Sequence, residues 1–387
     1  MRADVLIVGA GPVGLAFARA LGGSGLSIAL IERQSEATLR DPADDGREIA
    51  LTHRSIRSLR QLGAWSRIPP AEVSPLRGAR VLNEGAQRGL RFDAGYSHRD
   101  LGVLVPNHAI RRALFDSVAG QPDVTFVTGA LASVETGTSE IAVVLQDGRR
   151  IAGRLLVAAD SRLSAARAML GIGSDVHHLQ RAMLVCRVRH PGDHDGIATE
   201  WFDRRHTIAM LPLNDGHSSV VLTASIAEIG ALAELSPARL SVELTRRFRG
   251  RLGAMTIVGG VHVYPLVTTF AHRFAASRAA LIGDAAVGMH PVTAHGFNFG
   301  LQGQDRLADL VRAAARRGGD IAAPALLERY ARDHRRATRP LYTATNLIAG
   351  LYADSRPVAR LARRVLIEAS RRLPLVQRGV STMRLHG

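Results

Sequence analysis

Residues 4–32 carry the pattern that most narrows what this chain can become. Asp4-Val5-Leu6-Ile7-Val8 is a short, nearly continuous apolar run, which suits a strand buried on both faces of a parallel sheet. Gly9-Ala10-Gly11-Pro12-Val13-Gly14 follows, then a helical pattern from Leu15 to Leu21, then a second apolar run, Ser27 to Ile31, ending at Glu32. This is one βαβ unit with a GxGxxG turn. Gly9 permits the tight turn, Gly11 lets backbone approach a pyrophosphate, and Gly14 allows close helix packing. Glu32, with Arg33 beside it, stands where a carboxylate meets ribose hydroxyls. The phosphates are expected on the helix N-terminus, where unpaired N–H groups favour negative charge. The unit predicts dinucleotide binding, and by itself it does not separate NAD from FAD.

The rest of the chain limits the alternatives. With 387 residues, 46% of them apolar, it can bury a large core and form two domains or one elaborated domain. A single cysteine, Cys186, excludes a disulfide framework, a CxxC redox pair and a thiolate metal site. Any electron transfer therefore needs a bound organic cofactor. The fifteen histidines show neither HExxH nor a two-His-plus-carboxylate spacing, so no catalytic metal is expected. The net charge of +16 comes from arginine alone, since lysine is absent, and the arginines are spread along the chain without an aromatic-interleaved basic run. Nucleic acid is accordingly not an expected partner. The N-terminus enters a strand without a leader-like stretch, which predicts a cytoplasmic location.

A second motif block near the other end decides the cofactor. Ala279-Ala280-Leu281-Ile282-Gly283-Asp284-Ala285-Ala286 reads as another buried strand closed by a Gly-Asp turn. Val287 to Gly300, containing His290, Pro291, His295, Gly296, Phe297 and Asn298, then leads into an amphipathic helix through Leu307 and Leu310. This block resembles the signature of the group A flavoprotein monooxygenases. Asp45 to Leu51, with Arg47, is similar to the arginine-bearing segment of the branch that hydroxylates ubiquinone precursors. Leu156 to Arg167, with Asp160, is similar to that family's Asp-x-x-x-Ser-x-x-Arg motif, and Asn107 to Leu114, with Arg111, extends the resemblance along the chain.

The resemblance implies an FAD cofactor held by Gly9, Gly11, Gly14, Glu32, Arg33, Arg47, Arg111, Asp160, Asp284, Pro291, Gly296, Phe297 and Asn298. Asp284 is expected on the ribityl hydroxyls, and the helix start at Gly296, Phe297 and Asn298 on the pyrimidine edge of the flavin. It also implies hydroxylation of a polyprenylated phenol or quinol of the demethoxyubiquinol type through a flavin C4a-hydroperoxide. NAD(P)H or another donor would supply the electrons and O2 would be the co-substrate. The chain departs from the family pattern at Ala294-His295-Gly296, at Val287 and at Ser161. These changes reshape the pocket over the flavin and leave His290 and His295 as candidate catalytic residues, against the plainer reading of loop histidines bonded to backbone. An isoprenoid reductase of the same fold, or a non-enzymatic flavin binder, would carry the same cofactor motifs.

The expected fold class is α/β: a Rossmann-like, glutathione-reductase-type FAD-binding domain with an inserted mixed β-sheet substrate domain and C-terminal helices. Residues 1–70, 99–177 and 271–345 are assigned to the flavin-binding part, 71–98 and 178–270 to the substrate part, and 346–387 to a helical segment. Strands are expected at 182–189, 198–202, 207–213 and 218–224, a helix at 236–249, and a pair of strands at 255–263 and 265–270. Leu347, Leu351, Leu361, Val365 and Leu373 recur near helical spacing beside Arg360, Arg363, Arg364, Arg371 and Arg372. Such a stretch suits either core packing or a peripheral contact at the inner face of a membrane. The expected partners are a lipophilic phenol or quinol and, through that segment, a membrane surface or a biosynthetic complex.

Overall fold

The computed structural model of the protein describes residues 1–83, 90–93, 100–203, 206–290 and 295–353. The strands Val5–Val8 and Ile28–Glu32 lie side by side and parallel within a six-stranded sheet. Val124–Thr128 extends it parallel on one side, and Leu155–Ala158 and Ala279–Leu281 on the other, with Ala275–Ala276 as an antiparallel edge. Val5, Leu6, Ile7 and all of Leu155–Ala158 are fully buried. That explains why these runs do not alternate: both sheet faces are covered. The helices Pro12–Ala20, Asn107–Val118 and Gly296–Arg316 pack together, and an antiparallel meander over residues 131–153 packs beside the strands.

Above this layer lies an eight-stranded sheet, here called the roof. It is mixed, because Gly78–Asn83 runs parallel to Ile197–Phe202 while its other pairings are antiparallel. One face packs on the helices Ile226–Ala233 and Pro237–Arg247, burying Leu184, Trp201, Ile208 and Leu222 among others. Each helix starts at a serine, Ser225 or Ser236, whose side chain accepts the N–H three residues on. A small antiparallel sheet of Glu48–Leu51, Gly102–Pro106 and Ser74–Leu76 joins the layers.

The roof departs from the sequence reading at its long strands. In place of a strand pair at 255–263 and 265–270 there is one sixteen-residue strand, Thr256–Ala271, paired with the equally long Ser174–Arg189. Pro265 does not end it. Pro265 pairs with Ala182 beside a register shift between His178 and Ala182, and the strand's outer edge is paired only at Thr269 and Phe270, the irregular, edge-like setting in which a strand tolerates proline. The expected divisions at 177/178 and 270/271 fall inside these two strands, and the one at 345/346 falls inside the helix Pro324–Ala353. No turn chemistry marks those points because the chain passes straight through them. Residues from 354 on, with the basic amphipathic pattern after Leu351, lie outside the described residues. Among the described residues no helix is long and apolar enough to cross a membrane.

Candidate flavin site

The glycine turn is shaped by steric necessity. Gly9 has φ +106°, and a Cβ there would stand 2.6 Å from the Ala159 carbonyl oxygen, so only glycine fits where the strands splay. At Gly14 a Cβ would meet the Gly9 carbonyl oxygen at 2.0 Å, which sets how closely helix and strand approach. Gly11 differs from both: nothing lies within 4 Å of its Cβ position, and it caps the Pro12–Ala20 helix with no side-chain hydrogen bond. The open space lies at a helix N-terminus whose first N–H groups lack intrahelical partners. That is the cradle a pyrophosphate requires. Glu32 closes the turn by accepting the Ala10 N–H at 2.9 Å and the Gln34 N–H at 3.1 Å. Arg33 is exposed beside it.

The distant Gly-Asp turn comes to the same place by packing. A Cβ on Gly300 would stand 2.6 Å from Val13 Cγ2, and one on Gly283 would be 3.2 Å from Val13 Cβ. The start of the first helix, the Gly283–Ala285 turn and the Gly296–Arg316 helix are thereby held together. Asp284 is half-buried and receives a hydrogen bond from Arg162 at 3.0 Å, while Arg162 also donates to the Val267 carbonyl at 2.9 Å. Arg167 is buried and donates to the Ala285 carbonyl at 2.8 Å and to the Arg162 carbonyl at 3.0 Å. Asp160, adjoining Gly9, accepts from Ser164 Oγ at 2.5 Å and from the Ala166 N–H at 3.3 Å, and burial holds its carboxyl above the usual range. The Asp160–Arg167 motif therefore acts as a bracket: Asp160 orders its turn, and Arg167 ties that turn to Asp284.

Arg47 approaches from the second segment. Burial works against its charge, but the Asp45 carboxylate, bonded to it at 2.6 and 3.1 Å, outweighs that, and Asp284 adds to the effect. Its guanidinium lies over the Tyr264 ring, whose hydroxyl donates to the Asp45 carbonyl at 2.7 Å, and Asn107 donates to the Asp45 carboxylate at 2.7 Å. Arg111 is half-buried on the Asn107–Val118 helix.

The long helix Gly296–Arg316 begins without a side-chain cap, at His295. Its Asn298 side chain turns toward the second segment, accepting from the Thr52 N–H at 3.1 Å and Ser55 Oγ at 2.6 Å and donating to the Ala50 carbonyl at 2.8 Å. Gly296 and Phe297 complete the first turn, whose backbone N–H groups need outside partners. Replacing Asn298 with Ala is expected to lower stability by about 2 kcal/mol, because buried groups lose their partners. Denaturant unfolding of the holoprotein measures it. His290 is buried, and burial together with Arg181 and Arg162 pushes its imidazole down to about 4, so the ring is neutral at ordinary pH. The His295 ring lies 6.0 Å from that of Phe299. Pro291 lies outside the described residues.

Thus the structure gathers Gly9, Gly11, Gly14, Glu32, Arg47, Asp160, Asp284 and the 296–298 helix start around one region bounded by two uncapped helix N-termini. The sequence reading missed Arg162, Asp45 and Tyr264 as partners of that set. Arg162 lay inside a recognised motif and Asp45 two residues from Arg47, whereas Tyr264 has no local signal and is brought in by the long roof strand. Among the described residues no group of three or more His, Cys, Asp or Glu could hold a metal ion. The cradle at Gly11, the carboxylates of Glu32 and Asp284 and the helix starts fit FAD.

The side of the roof turned away from its two helices carries an apolar patch. Val81, Met183, Ala209, Leu211 and Val221 are half-buried there, while residues on the helix-packed face are fully enclosed. This surface suits an aromatic or isoprenoid molecule above the cofactor.

Comparison with known proteins agrees with this geometry. The FAD binding domain family model matches residues 2–345. Ubiquinone hydroxylase UbiM of Neisseria meningitidis is 44% identical over 380 residues, covering 97% of this chain and 82% of that protein. Ubiquinone hydroxylase UbiL of Rhodospirillum rubrum is 34% identical over 378 residues, covering 97% and 88%. The crystal structure of p-nitrophenol 4-monooxygenase PnpA from Pseudomonas putida superposes with a TM-score of 0.79 over 100% of this chain and 99% of that one, at 18% identity, which speaks to fold. An FAD cradle assembled from three separated motifs and a family match over nearly the whole chain lead to one conclusion: the protein belongs to the FAD binding domain family, together with the ubiquinone hydroxylases.

Proposed function

We propose that the protein is an FAD-dependent monooxygenase that hydroxylates the aromatic ring of a polyprenylated ubiquinone precursor of the demethoxyubiquinol type. The observation that carries this reading is the near full-length relationship to ubiquinone hydroxylases in a chain whose cofactor motifs converge on one site. When bound and reduced, the flavin supplies the activated oxygen. The chain supplies the rest. The uncapped helix starts at Gly11 and Gly296 bind anionic groups, Asp284 and Glu32 accept hydroxyl hydrogen bonds, and Arg162 and Arg167 hold Asp284 in place. The apolar roof face excludes water from the reacting ring and accepts a lipophilic tail.

The neutral His290 suits donating or accepting a hydrogen bond near the ring more than stabilising an anion by charge. NAD(P)H is the proposed electron donor, O2 the co-substrate, and a membrane surface the source of the substrate. The test is anaerobic reduction of the holoprotein, then O2 in the presence of a short-tailed demethoxyubiquinol. A product one oxygen heavier, labelled from 18O2, is expected. Hydrogen peroxide as the sole product from fully reduced flavin would overturn the substrate assignment.

A further inference from the structure

Strand pairing lines up one row of side chains across the roof: Val81, Glu200, Ala209, Val221, Val185 and His262. The adjacent row, Leu82, Trp201, Ile208, Leu222 and Leu184, points the other way into the helix-packed core and is at most 1% exposed. Two contacts establish that the first row faces the flavin half. His262 closes on Gly46, where a Cβ would stand 2.6 Å from the His262 ring, and Arg187, on the same face as Val185, bonds Glu48 at 2.7 and 3.0 Å.

Glu200 is the one acidic member of that row. It sits between Val81 and Ala209, about 19 Å across the sheet from His262 at ordinary strand spacing. The arginines on this face in the Ser174–Arg189 strand, Arg181, Arg187 and Arg189, are three strands away; Arg181 donates to the Thr223 carbonyl and Arg187 to Glu48. Glu200 keeps part of its surface accessible, unlike the buried row. It is nevertheless so deep in the protein that burial alone pushes its carboxyl up to about 8. Its neighbours across the row, Val81 and Ala209, are apolar, and among the described residues no charged group acts on the carboxyl. A polar group in that position is costly unless a ligand completes it.

We propose that Glu200 meets the ring hydroxyl of the substrate and takes up its proton; this rests on the hydroxylase reading above. The phenolic O–H bond breaks, the proton passes to the carboxylate, and the electron pair stays on the ring oxygen, enriching the ortho and para carbons. As the hydroxylated ring regains aromaticity, its displaced C–H proton leaves to water and the Glu200 proton returns to the ring oxygen. A carboxyl that titrates unusually high is a stronger proton acceptor than an ordinary glutamate.

The test titrates oxidised holoenzyme with a short-tailed demethoxyubiquinol, the phenolic substrate of the hydroxylase reading, followed by flavin absorbance, and measures hydroxylated product per reductant consumed from about pH 6 to 10. Wild type, Glu200→Gln and Glu200→Ala are compared. Product formation by wild type is expected to rise through about pH 8, where the carboxyl titrates. Glu200→Gln is expected to retain FAD and bind the phenol within about threefold, yet lose at least about thirtyfold in hydroxylation together with the pH-dependent limb. Glu200→Ala is expected to weaken phenol binding about tenfold as well.

Thermal unfolding gives a readout independent of turnover. A carboxyl raised from 4.5 to about 8 makes the folded wild type less stable relative to Glu200→Gln as pH rises through that interval. That stability trend together with unchanged phenol affinity, product yield and pH profile in both variants would overturn the proposal and leave Glu200 a silent interior carboxyl. Failure of wild type itself to bind or hydroxylate the phenol would overturn the hydroxylase reading, and this inference with it.

Discussion

Replacing Gly11 with Glu is expected to give a protein that folds normally and does not hold FAD. The Cβ position of Gly11 opens onto empty space, so the new side chain meets no protein atom near its base and the apoprotein should melt as the wild-type apoprotein does. That space adjoins the N–H groups of a helix N-terminus, where phosphate is expected, and a carboxylate placed there would occupy the cradle and repel the pyrophosphate. FAD affinity should fall at least a hundredfold, about 3 kcal/mol. Gly14→Val supplies the contrast. Its Cβ would collide with the Gly9 backbone at 2.0 Å, so both the fold and cofactor retention should fail. Fluorescence titration of apoprotein with FAD, beside thermal melts of both variants, separates the two. A Gly11→Glu protein that keeps its yellow cofactor would show that the phosphates lie elsewhere.

The second large effect is expected at Asp284. Its ion pair with Arg162 is about one-third exposed on each side, 36% and 33%, so water screens it and its loss should cost the apoprotein no more than about 1 kcal/mol. The same carboxylate is positioned by Arg162 and, through the Ala285 carbonyl, by Arg167, which indicates that its orientation matters. Asp284→Ala is therefore expected to weaken FAD binding by about thirty- to a hundredfold, as charge-assisted hydrogen bonds to hydroxyls are lost. Asp284→Asn should fall in between. Arg162→Ala should weaken FAD less than Asp284→Ala, because it removes the support and leaves the contact. Equal losses of apoprotein stability and FAD affinity in all three would indicate a purely structural pair.

Much of this was legible in the sequence because it is local. A GxGxxG turn between apolar runs describes much of its own geometry: Gly14 is required by the Gly9 carbonyl five residues before it and Gly9 by its own φ of +106°, although the backbone its Cβ would strike, at Ala159, belongs to a distant segment. Fold class, cofactor and family follow from such motifs and their order. Other features left no trace. Pro265 looks like a strand end, and only the register shift beside its partner and the sparsely paired outer edge of Thr256–Ala271 explain its place inside a strand. Asn298, which reads as a cofactor residue, spends its side chain bridging to Ala50, Thr52 and Ser55, nearly 250 positions earlier. Glu200 reads as an unremarkable acidic residue in a short strand.

By itself, then, the sequence determined those features whose causes lie within one turn, strand or helix: the dinucleotide unit, the Gly-Asp turn, the helix that follows Ser236 and the buried parallel strands. Only the tertiary structure decided what depends on residues far apart in the chain meeting in space. It set Arg162 and Arg167 around Asp284, brought Tyr264 onto Arg47, made His290 neutral, and turned the roof face that carries Glu200 toward the flavin side. The physical reason is that backbone sterics act over a few residues, whereas desolvation and charge pairing depend on everything packed within several ångströms, and that neighbourhood exists only after the chain has folded.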